Sequence, residues 1–257
     1  MKKRIIPSIL LRGGTNVSLS QQFMPWRTVG ALAQQLRLHV RRNCDELLII
    51  NTDQAGSKHF QTPDRLLSLV RKEVDIPIAY SGGISCAGDA AACINAGFDK
   101  IYLTALFIDE PSSVQSIASL IGSQSTGVCL PYRRVATDGI PFVWDYRAAM
   151  LRQDLPLFGA LNTVVQAGAG EVLLYDVDRD GSLQGLDTSL LANLEISQIP
   201  IPVLMAGGTG TAEHVSSVLR SPSVQGIVAG SLFALTHETP ATIRHHCENS
   251  GIAMRRP

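Results

Sequence analysis

Short apolar runs alternate with amphipathic stretches along the whole chain. The runs are typical of strands buried on both faces. They fall at residues 4–10, 47–51, 76–80, 100–104, 126–130, 172–177 and 226–229, and one more begins at residue 201. Between them, helical spacing of apolar residues covers 29–40, 63–72, 86–95, 112–121, 158–166, 188–194, 211–219 and 240–249. Eight strands alternating with eight helices predict a parallel sheet covered by helices.

The second half of the chain repeats the first. The run Ile76 to Ile84, which passes from an apolar strand into Ser-Gly-Gly, returns at Ile201 after 125 positions (201 − 76) with Ala-Gly-Gly. Glu46 and Asp53 have counterparts at the same offset in Glu171 and Asp178. Two copies of one strand and turn pattern in matching order indicate an internal duplication.

The duplication favours a closed (β/α)8 barrel over an open, doubly wound sheet, because two four-stranded halves close into one barrel. We expect a single domain over 1–257, with half-barrels at about 1–122 and 123–257. Residues 12–25 are polar and contain glycine, which predicts a loop. The long segment 131–153 is either an excursion over one barrel face or a hairpin.

Composition narrows the function classes. The chain has 22 basic and 22 acidic residues, which disfavours a general nucleic-acid or membrane surface. Its basic N-terminus is followed by too short an apolar stretch for a signal peptide, so we expect a cytoplasmic protein. The five cysteines form no CxxC pair and no histidine pair has ligand spacing, so we expect neither a metal nor another cofactor.

Glycine pairs follow two of the predicted strands. Backbone N–H groups at such strand-to-helix turns can approach an anion closely, and phosphate is the natural ligand. In a barrel the strand ends meet at one mouth. We therefore expect two phosphate sites across it, although each glycine pair could instead only permit tight helix packing. The first site comprises Ser81, Gly82, Gly83 and Thr104, and the second Gly181, Gly207, Gly208, Gly230 and Ser231.

Four aspartates lie at the predicted mouth. Asp53 and Asp176 follow strands two and six, and Asp178 and Asp180 flank Arg179. They are candidates for binding a substrate hydroxyl or amine, or for catalysis. The alternative is turn formation and loop capping, which aspartate before glycine favours.

Several motifs resemble those of one enzyme family. Arg4-Ile5-Ile6-Pro7, Ser81-Gly82-Gly83-Ile84, Asp178-Arg179-Asp180-Gly181 and Ala206-Gly207-Gly208-Thr209-Gly210 are similar to the cyclase subunit of imidazole glycerol phosphate synthase, over essentially the whole chain. The resemblance implies a duplicated barrel that takes ammonia from a glutaminase partner docked at its floor. The ammonia would pass along the barrel axis to a bis-phosphorylated substrate at the mouth.

The catalytic pair of that family is missing. The resemblance places a general acid/base aspartate at the ends of strands one and five, where this chain has Leu10 and Pro131. Neither side chain can transfer a proton, and each such group typically contributes about 10²–10⁴-fold to rate. The ordinary histidine-pathway reaction is therefore disfavoured.

The predicted barrel floor matches the family. Arg4, Glu46, Lys100 and Glu171 stand at the starts of predicted strands, where the resemblance implies a charged ring that gates ammonia. A plain salt-bridge network that plugs the floor is the alternative. Buried ion pairs stabilise weakly compared with apolar packing, so their presence favours a retained gate.

The changed mouth over a retained floor resembles synthase-like proteins of surface-polysaccharide gene clusters, which are associated with sugar amidation. Ile9-Leu10-Leu11 followed by Arg12-Gly13 is similar to that branch. Our leading hypothesis is a subunit that forms a heterodimer with a glutaminase and delivers ammonia toward a phosphorylated or nucleotide-linked sugar. A genuine histidine-pathway cyclase, a catalytically silent scaffold subunit and a related phosphosugar isomerase are the alternatives.

Overall fold

The computed structural model describes residues 2–54, 63–135, 139–193 and 198–256. Its strands are β1 (Arg4–Arg12), β2 (Asn16–Gln21), β3 (Met24–Ala31), β4 (Leu47–Asn51), β5 (Ile78–Ser81), β6 (Lys100–Leu103), β7 (Thr126–Arg134), β8 (Pro141–Asp145), β9 (Met150–Pro156), β10 (Glu171–Asp176), β11 (Val203–Ala206) and β12 (Val224–Ala229). Eight of them, β1, β4, β5, β6, β7, β10, β11 and β12, pair in parallel and close into a barrel. The predicted (β/α)8 fold is confirmed.

The helices surround this barrel. They are α1 (Leu32–Arg41), α2 (Asp64–Arg71), α3 (Ala87–Ala96), α4 (Ala105–Asp109), α5 (Ser113–Ile121), α6 (Leu157–Gln166), α7 (Ala212–Leu219), α8 (Ser231–Leu235) and α9 (Pro240–Asn249). Thr211 and Thr239 cap α7 and α9 through their hydroxyls, as expected for threonine at an N-cap. Within the described ranges, every helix is too short or too polar to span a bilayer.

The two halves match element by element, which confirms the duplication. Leu32 begins α1 and Leu157 begins α6, 125 positions later (157 − 32). The same offset separates Ala87, the first residue of α3, from Ala212, the first residue of α7. Each half also carries a hairpin after its first barrel strand, β2–β3 and β8–β9 respectively.

The hairpin β2–β3 corrects the prediction of a loop at residues 12–25. Val17, Ser18 and Leu19 of β2 are all buried, so the middle of this strand is covered on both faces. Its turn residues Gln22 and Phe23 both have positive φ, a conformation that usually selects Asn-Gly in two-residue turns. The sequence therefore lacks the usual turn signal, and the packing of Phe23 described below holds the turn instead.

The structure decides three other predictions. The helix predicted from residue 29 begins at Leu32, because β3 continues to Ala31. The hairpin alternative for 131–153 is confirmed by β8 and β9. The helix predicted at 188–194 is wrong over its described part, where Asp187 accepts a hydrogen bond from Ser189 N and caps one 3₁₀ turn, Thr188–Leu190.

Side chains on the inner face of the strands fill the barrel. Alternate positions along each strand point inward, so the inward series of β6 begins Lys100, Tyr102 and that of β10 begins Glu171, Leu173, Tyr175. The resulting interior core is mostly apolar and comprises Ile6, Leu48, Ala79, Tyr102, Cys129, Leu173, Tyr175, Leu204, Ala206 and Val228. Lys100 and Glu171, the first residues of β6 and β10, place charge at one end of the axis.

Candidate functional site

The four charges predicted for the barrel floor lie together and bond to one another. We call Arg4, Glu46, Lys100 and Glu171 the floor cluster. Arg4 Nη1 donates to Glu46 Oε2 at 3.1 Å, and Arg4 Nη2 donates to Glu171 Oε2. Lys100 Nζ donates to Glu171 Oε1 at 2.7 Å. Glu171 is 1% exposed, so the cluster points into the barrel and not out to solvent.

Electrostatics keep this buried carboxylate ionised. Burial by itself would raise the pKa of Glu171, but Lys100 and Arg4 outweigh it and hold the pKa below its usual value. Burial likewise opposes the charge of Arg4, whereas Glu171 and Glu46 raise its pKa. The floor cluster is thus a set of mutually compensated charges closing one end of the axis.

Two residues that were not predicted from the sequence also contact the floor cluster. Tyr102 donates its hydroxyl to Glu171 Oε1 from one layer higher in the barrel. Arg255 Nη1 lies 3.5 Å from Glu46 Oε2, because the chain end pairs with Lys3 beneath the barrel. The spacing of Tyr102, two residues after Lys100 on the same strand face, could have predicted its position.

The first predicted phosphate site opens into a large cavity at the mouth. Ser81, Gly82, Gly83 and Thr104 all line this space, whose volume is about 790 Å³. Arg12 also lines it, and within the described part of the chain its guanidinium has no ion-pair or hydrogen-bond partner. We call this space the first compartment. A free cation and a glycine turn in one cavity can bind an anion.

The second predicted phosphate site surrounds a much smaller space. Its lining includes all five predicted residues, Gly181, Gly207, Gly208, Gly230 and Ser231, and the volume is about 20 Å³. Thr209 was not predicted, yet it also lines this second compartment. It is 5% exposed, and its Oγ1 has no hydrogen-bond partner in the described part of the chain. That hydroxyl could form a hydrogen bond with a small polar group of a ligand.

Close backbone packing explains why both turns need glycine. A methyl group on Gly82 would lie 2.4 Å from the carbonyl oxygen of Asn51, and one on Gly207 would lie 2.3 Å from that of Asp176. Both glycines also have positive φ. Asn51 and Asp176 occupy the same place in the two halves. The packing role thus holds at both turns and is compatible with anion binding beside them.

The resemblance places an aspartate at positions 10 and 131, and this chain has an apolar residue at each. Leu10 is half-buried and lines the first compartment. Pro131 is buried in β7, where it stands opposite Tyr175 of β10. Asp180 lines a narrow cavity of about 40 Å³ together with Leu10, and Asp53 and Asp109 line the first compartment with it.

Two of the four candidate aspartates are engaged by backbone groups. Asp53 accepts hydrogen bonds from the N–H groups of Gly13 and Gly14 at 2.8 and 2.7 Å, and so fixes the turn after β1. Asp176 accepts from Arg179 N at 3.1 Å. Burial raises the pKa of Asp176 to about 6. The turn-forming interpretation is thereby supported for both residues.

The other two bind side chains of the hairpins. Asp178 pairs with Arg133 at 2.6 Å, and Arg133 in turn stacks on Trp144. Asp180 accepts from the Ser20 hydroxyl, from Tyr175 Oη at 2.8 Å and from Phe23 N at 2.9 Å. Burial nevertheless raises the pKa of Asp180.

The two hairpins meet over the barrel axis. The ring of Phe23 packs edge-on against Tyr175 with centroids 4.8 Å apart. On its other side it contacts Tyr146, in the turn between β8 and β9, at 5.3 Å. Phe23 thus packs on the interior core and lines the first compartment, while Tyr175 beneath it lines both compartments. Over the described residues, no three of His, Cys, Asp and Glu are grouped as metal ligands.

Comparisons with known proteins agree with this architecture. The chain matches the family described as Histidine biosynthesis protein over residues 4–239. It is 29% identical over 257 residues to imidazole glycerol phosphate synthase subunit HisF of Streptococcus mutans, covering 99% of this chain and 100% of that protein. The corresponding subunit of an Exiguobacterium species is 29% identical over 258 residues, covering 99% and 97%. A Leptospira borgpetersenii protein described provisionally as the same subunit is 30% identical over 235 residues, covering 91% and 90%.

Proposed function

Because the chain belongs to the histidine biosynthesis protein family and is similar to HisF subunits, we propose that it receives ammonia from a glutaminase bound at the barrel floor. The two proteins would form a heterodimer. The ammonia would serve amidation of a phosphorylated or nucleotide-linked sugar, and not histidine synthesis. Imidazole glycerol phosphate synthase is the activity that the relatives' names state.

The floor cluster is the observation that carries this proposal. The cluster consists of two acidic and two basic side chains that pair with one another. Apolar side chains at the same place would stabilise the fold as well or better. A gate explains the retention of the charges, since ion pairs can exchange partners while a packed apolar plug cannot. Lys100 is the most accessible member, with a side chain 18% exposed, and so is the best placed to swing away from Glu171.

The barrel interior suits the cargo. Above the floor cluster the interior core is apolar apart from the hydroxyls of Tyr102 and Tyr175. Desolvation strongly disfavours an ammonium ion there, whereas neutral ammonia loses little. An apolar interior would therefore pass ammonia and exclude its protonated form.

The mouth supports delivery better than cyclisation. Leu10 and Pro131 cannot transfer protons, and the four candidate aspartates are engaged in turns or ion pairs. Converting an acetamido group to an acetamidino group replaces the amide oxygen with nitrogen. That oxygen must first accept a phosphoryl or nucleotidyl group from a nucleoside triphosphate, so that it leaves as a phosphate or nucleotide when ammonia adds, and we assign this activation to a third protein at the mouth.

Glutaminase stimulation tests the proposal. The purified chain should raise glutamine turnover by its cognate glutaminase subunit, and Glu171→Gln should change that stimulation because it disturbs every pair that Glu171 makes. Asp154→Asn is the matched control, since Asp154 forms an exposed ion pair with Arg152 in the hairpin at the mouth. Unchanged glutamine turnover in the presence of the native chain would sink the proposal.

A silent scaffold subunit is the second candidate, and the engagement of all four aspartates favours it. The two functions differ in the fate of the nitrogen. With glutamine labelled at the amide nitrogen, a delivering subunit places the label in the sugar product when all three proteins are present. A scaffold stimulates glutaminase equally but releases the label as free ammonium.

A further inference from the structure

The mouth of the barrel is divided, and this division bears on the class of ligand. We propose that the sugar ligand is anchored at one end only, by a single phosphate or diphosphate group in the first compartment. This inference rests on the proposed function. A bis-phosphorylated ligand that spans both glycine sites is the arrangement that this inference replaces.

Size separates the two compartments first. The first compartment has a volume of about 790 Å³, within the range of about 300–1,000 Å³ that small-molecule ligands occupy. The second has about 20 Å³, enough for little more than a water molecule or one small anion. Only the first can therefore hold the body of a sugar or nucleotide.

The two compartments also differ in the charged side chains that line them. Arg12 lines the first compartment with its guanidinium unpaired over the described residues. The described lining of the second contains neither lysine nor arginine, and it includes the carboxylate of Asp180. Both linings include carboxylates, but Asp53 and Asp109 in the first are engaged by Gly13, Gly14 and Arg147, so a phosphate can still gain a charge-assisted hydrogen bond from Arg12 there.

A covalently continuous ligand would also have to pass the hairpin. Asp180 binds the tip of β2–β3 through Ser20 and Phe23 N, and Tyr175 bonds to the same carboxylate. Gly181 lies so close beneath this tip that an added methyl would stand 2.7 Å from the Ser20 carbonyl oxygen. These contacts fasten the hairpin tip to Asp180 and Gly181, two residues that line the second compartment.

The walls of the first compartment fit the rest of such a ligand. Phe23, Tyr146 and Tyr175 line it on the side of the barrel axis, and Met24 and Pro25 continue the wall. Aromatic rings stack on sugar or base rings, while residues 81–83 and Arg12 contribute polar groups to the same lining. One end of the ligand would thus be anionic and the other would lie against aromatic rings.

Calorimetric titration of the purified chain with three probes tests the inference. The probes are N-acetylglucosamine 1-phosphate, UDP-N-acetylglucosamine and fructose 1,6-bisphosphate. We expect at least one of the first two to bind about tenfold more tightly than the bisphosphate. Tighter or equal binding of the bisphosphate would overturn the inference, and so would the absence of binding by all three.

Two variants locate the bound probe. Arg12→Gln should weaken binding of the singly anchored probe about tenfold, while Arg27→Gln, an exposed arginine of β3 outside the cavity, should leave it unchanged. A ligand spanning both glycine sites predicts instead that Thr209→Val weakens binding as much as Arg12→Gln, and that result would overturn the inference. These titrations need no glutaminase, so their outcome is independent of the turnover test above.

Discussion

The hydroxyl of Tyr102 donates a hydrogen bond to Oε1 of Glu171, the most buried carboxylate of the floor cluster. This contact links the first inward layer of the barrel to the second. Gly127 of the neighbouring strand makes room for it, because a methyl there would lie 2.7 Å from the Tyr102 ring. Tyr102 thus joins the floor charges to the interior core, and its ring also lines the first compartment.

Tyr102→Phe should destabilise the fold while keeping the ring in place. A hydrogen bond to a charged group typically contributes about 1.5–3 kcal/mol, so we expect a loss of that order in the free energy of unfolding. Urea denaturation followed by circular dichroism measures it. Tyr80→Phe is the control, because among the described residues the Tyr80 hydroxyl accepts from neutral Asn51 at 3.3 Å, and its loss should cost about 0.5–1.5 kcal/mol. Equal losses in the two variants would show that the charge of Glu171 gives the contact no special weight.

Asp176→Asn should stabilise the protein increasingly as the pH rises. Burial raises the folded-state pKa of Asp176 to about 6, above the unfolded value of about 3.9. Its contribution to stability is therefore fully present below about pH 4 and is lost as the pH rises through about 6. We expect the variant to gain on the order of 1–3 kcal/mol relative to the native chain between pH 4 and pH 7, measured by urea denaturation.

Asp187→Asn is the matched control with the opposite sign. Both carboxylates face the hydroxyl of Tyr132, but burial of Asp187 is outweighed by hydrogen bonds from Ser189 and Arg134, which hold its pKa below the usual value. Its contribution is present above the unfolded pKa and is lost as the pH falls through the lower folded pKa. This variant should be the less stable chain at pH 7, with a deficit that shrinks below about pH 4. Parallel pH trends in the two variants would contradict the assignment.

The chain should not replace the cyclase subunit in histidine synthesis. The resemblance places two proton-transferring aspartates where this chain has Leu10 and Pro131, and losing such groups typically costs about 10²–10⁴-fold each. Expression in a histidine auxotroph that lacks only this subunit should therefore give no growth without histidine, with an immunoblot to confirm that the protein is made. Growth would restore the histidine-pathway alternative.

Much of the fold was predictable because its signals are periodic and repeated. Buried parallel strands give continuous apolar runs, and the offset of 125 positions identifies two equivalent halves. The same repetition relates Glu46 to Glu171 at the floor and the two glycine pairs at the mouth to each other. Each of these inferences needs only strand direction and the alternation of side chains.

The hairpin and its consequences were not predictable in this way. The turn at Gln22 and Phe23 has no glycine or asparagine, and its stability comes from Tyr175, Tyr146 and Asp180, which are distant in sequence. The division of the mouth follows from those tertiary contacts. One signal did exist, since a hairpin at 141–156 implies another about 125 positions earlier, where β2 and β3 lie.

Phe23→Ala should loosen both hairpins together. The Phe23 ring is the contact shared by Tyr175 beneath it and Tyr146 beside it, at 4.8 and 5.3 Å, so its removal leaves each hairpin without its aromatic neighbour. Such aromatic pairs contribute about 0.5–1.5 kcal/mol each beyond their buried area, enough to raise local opening several-fold. Hydrogen exchange followed by mass spectrometry should show faster exchange in peptides that cover both β2–β3 and β8–β9. Met24→Ala is the control, because Met24 is 58% exposed and should leave both rates unchanged. Faster exchange confined to β2–β3 would show that the two hairpins do not depend on each other.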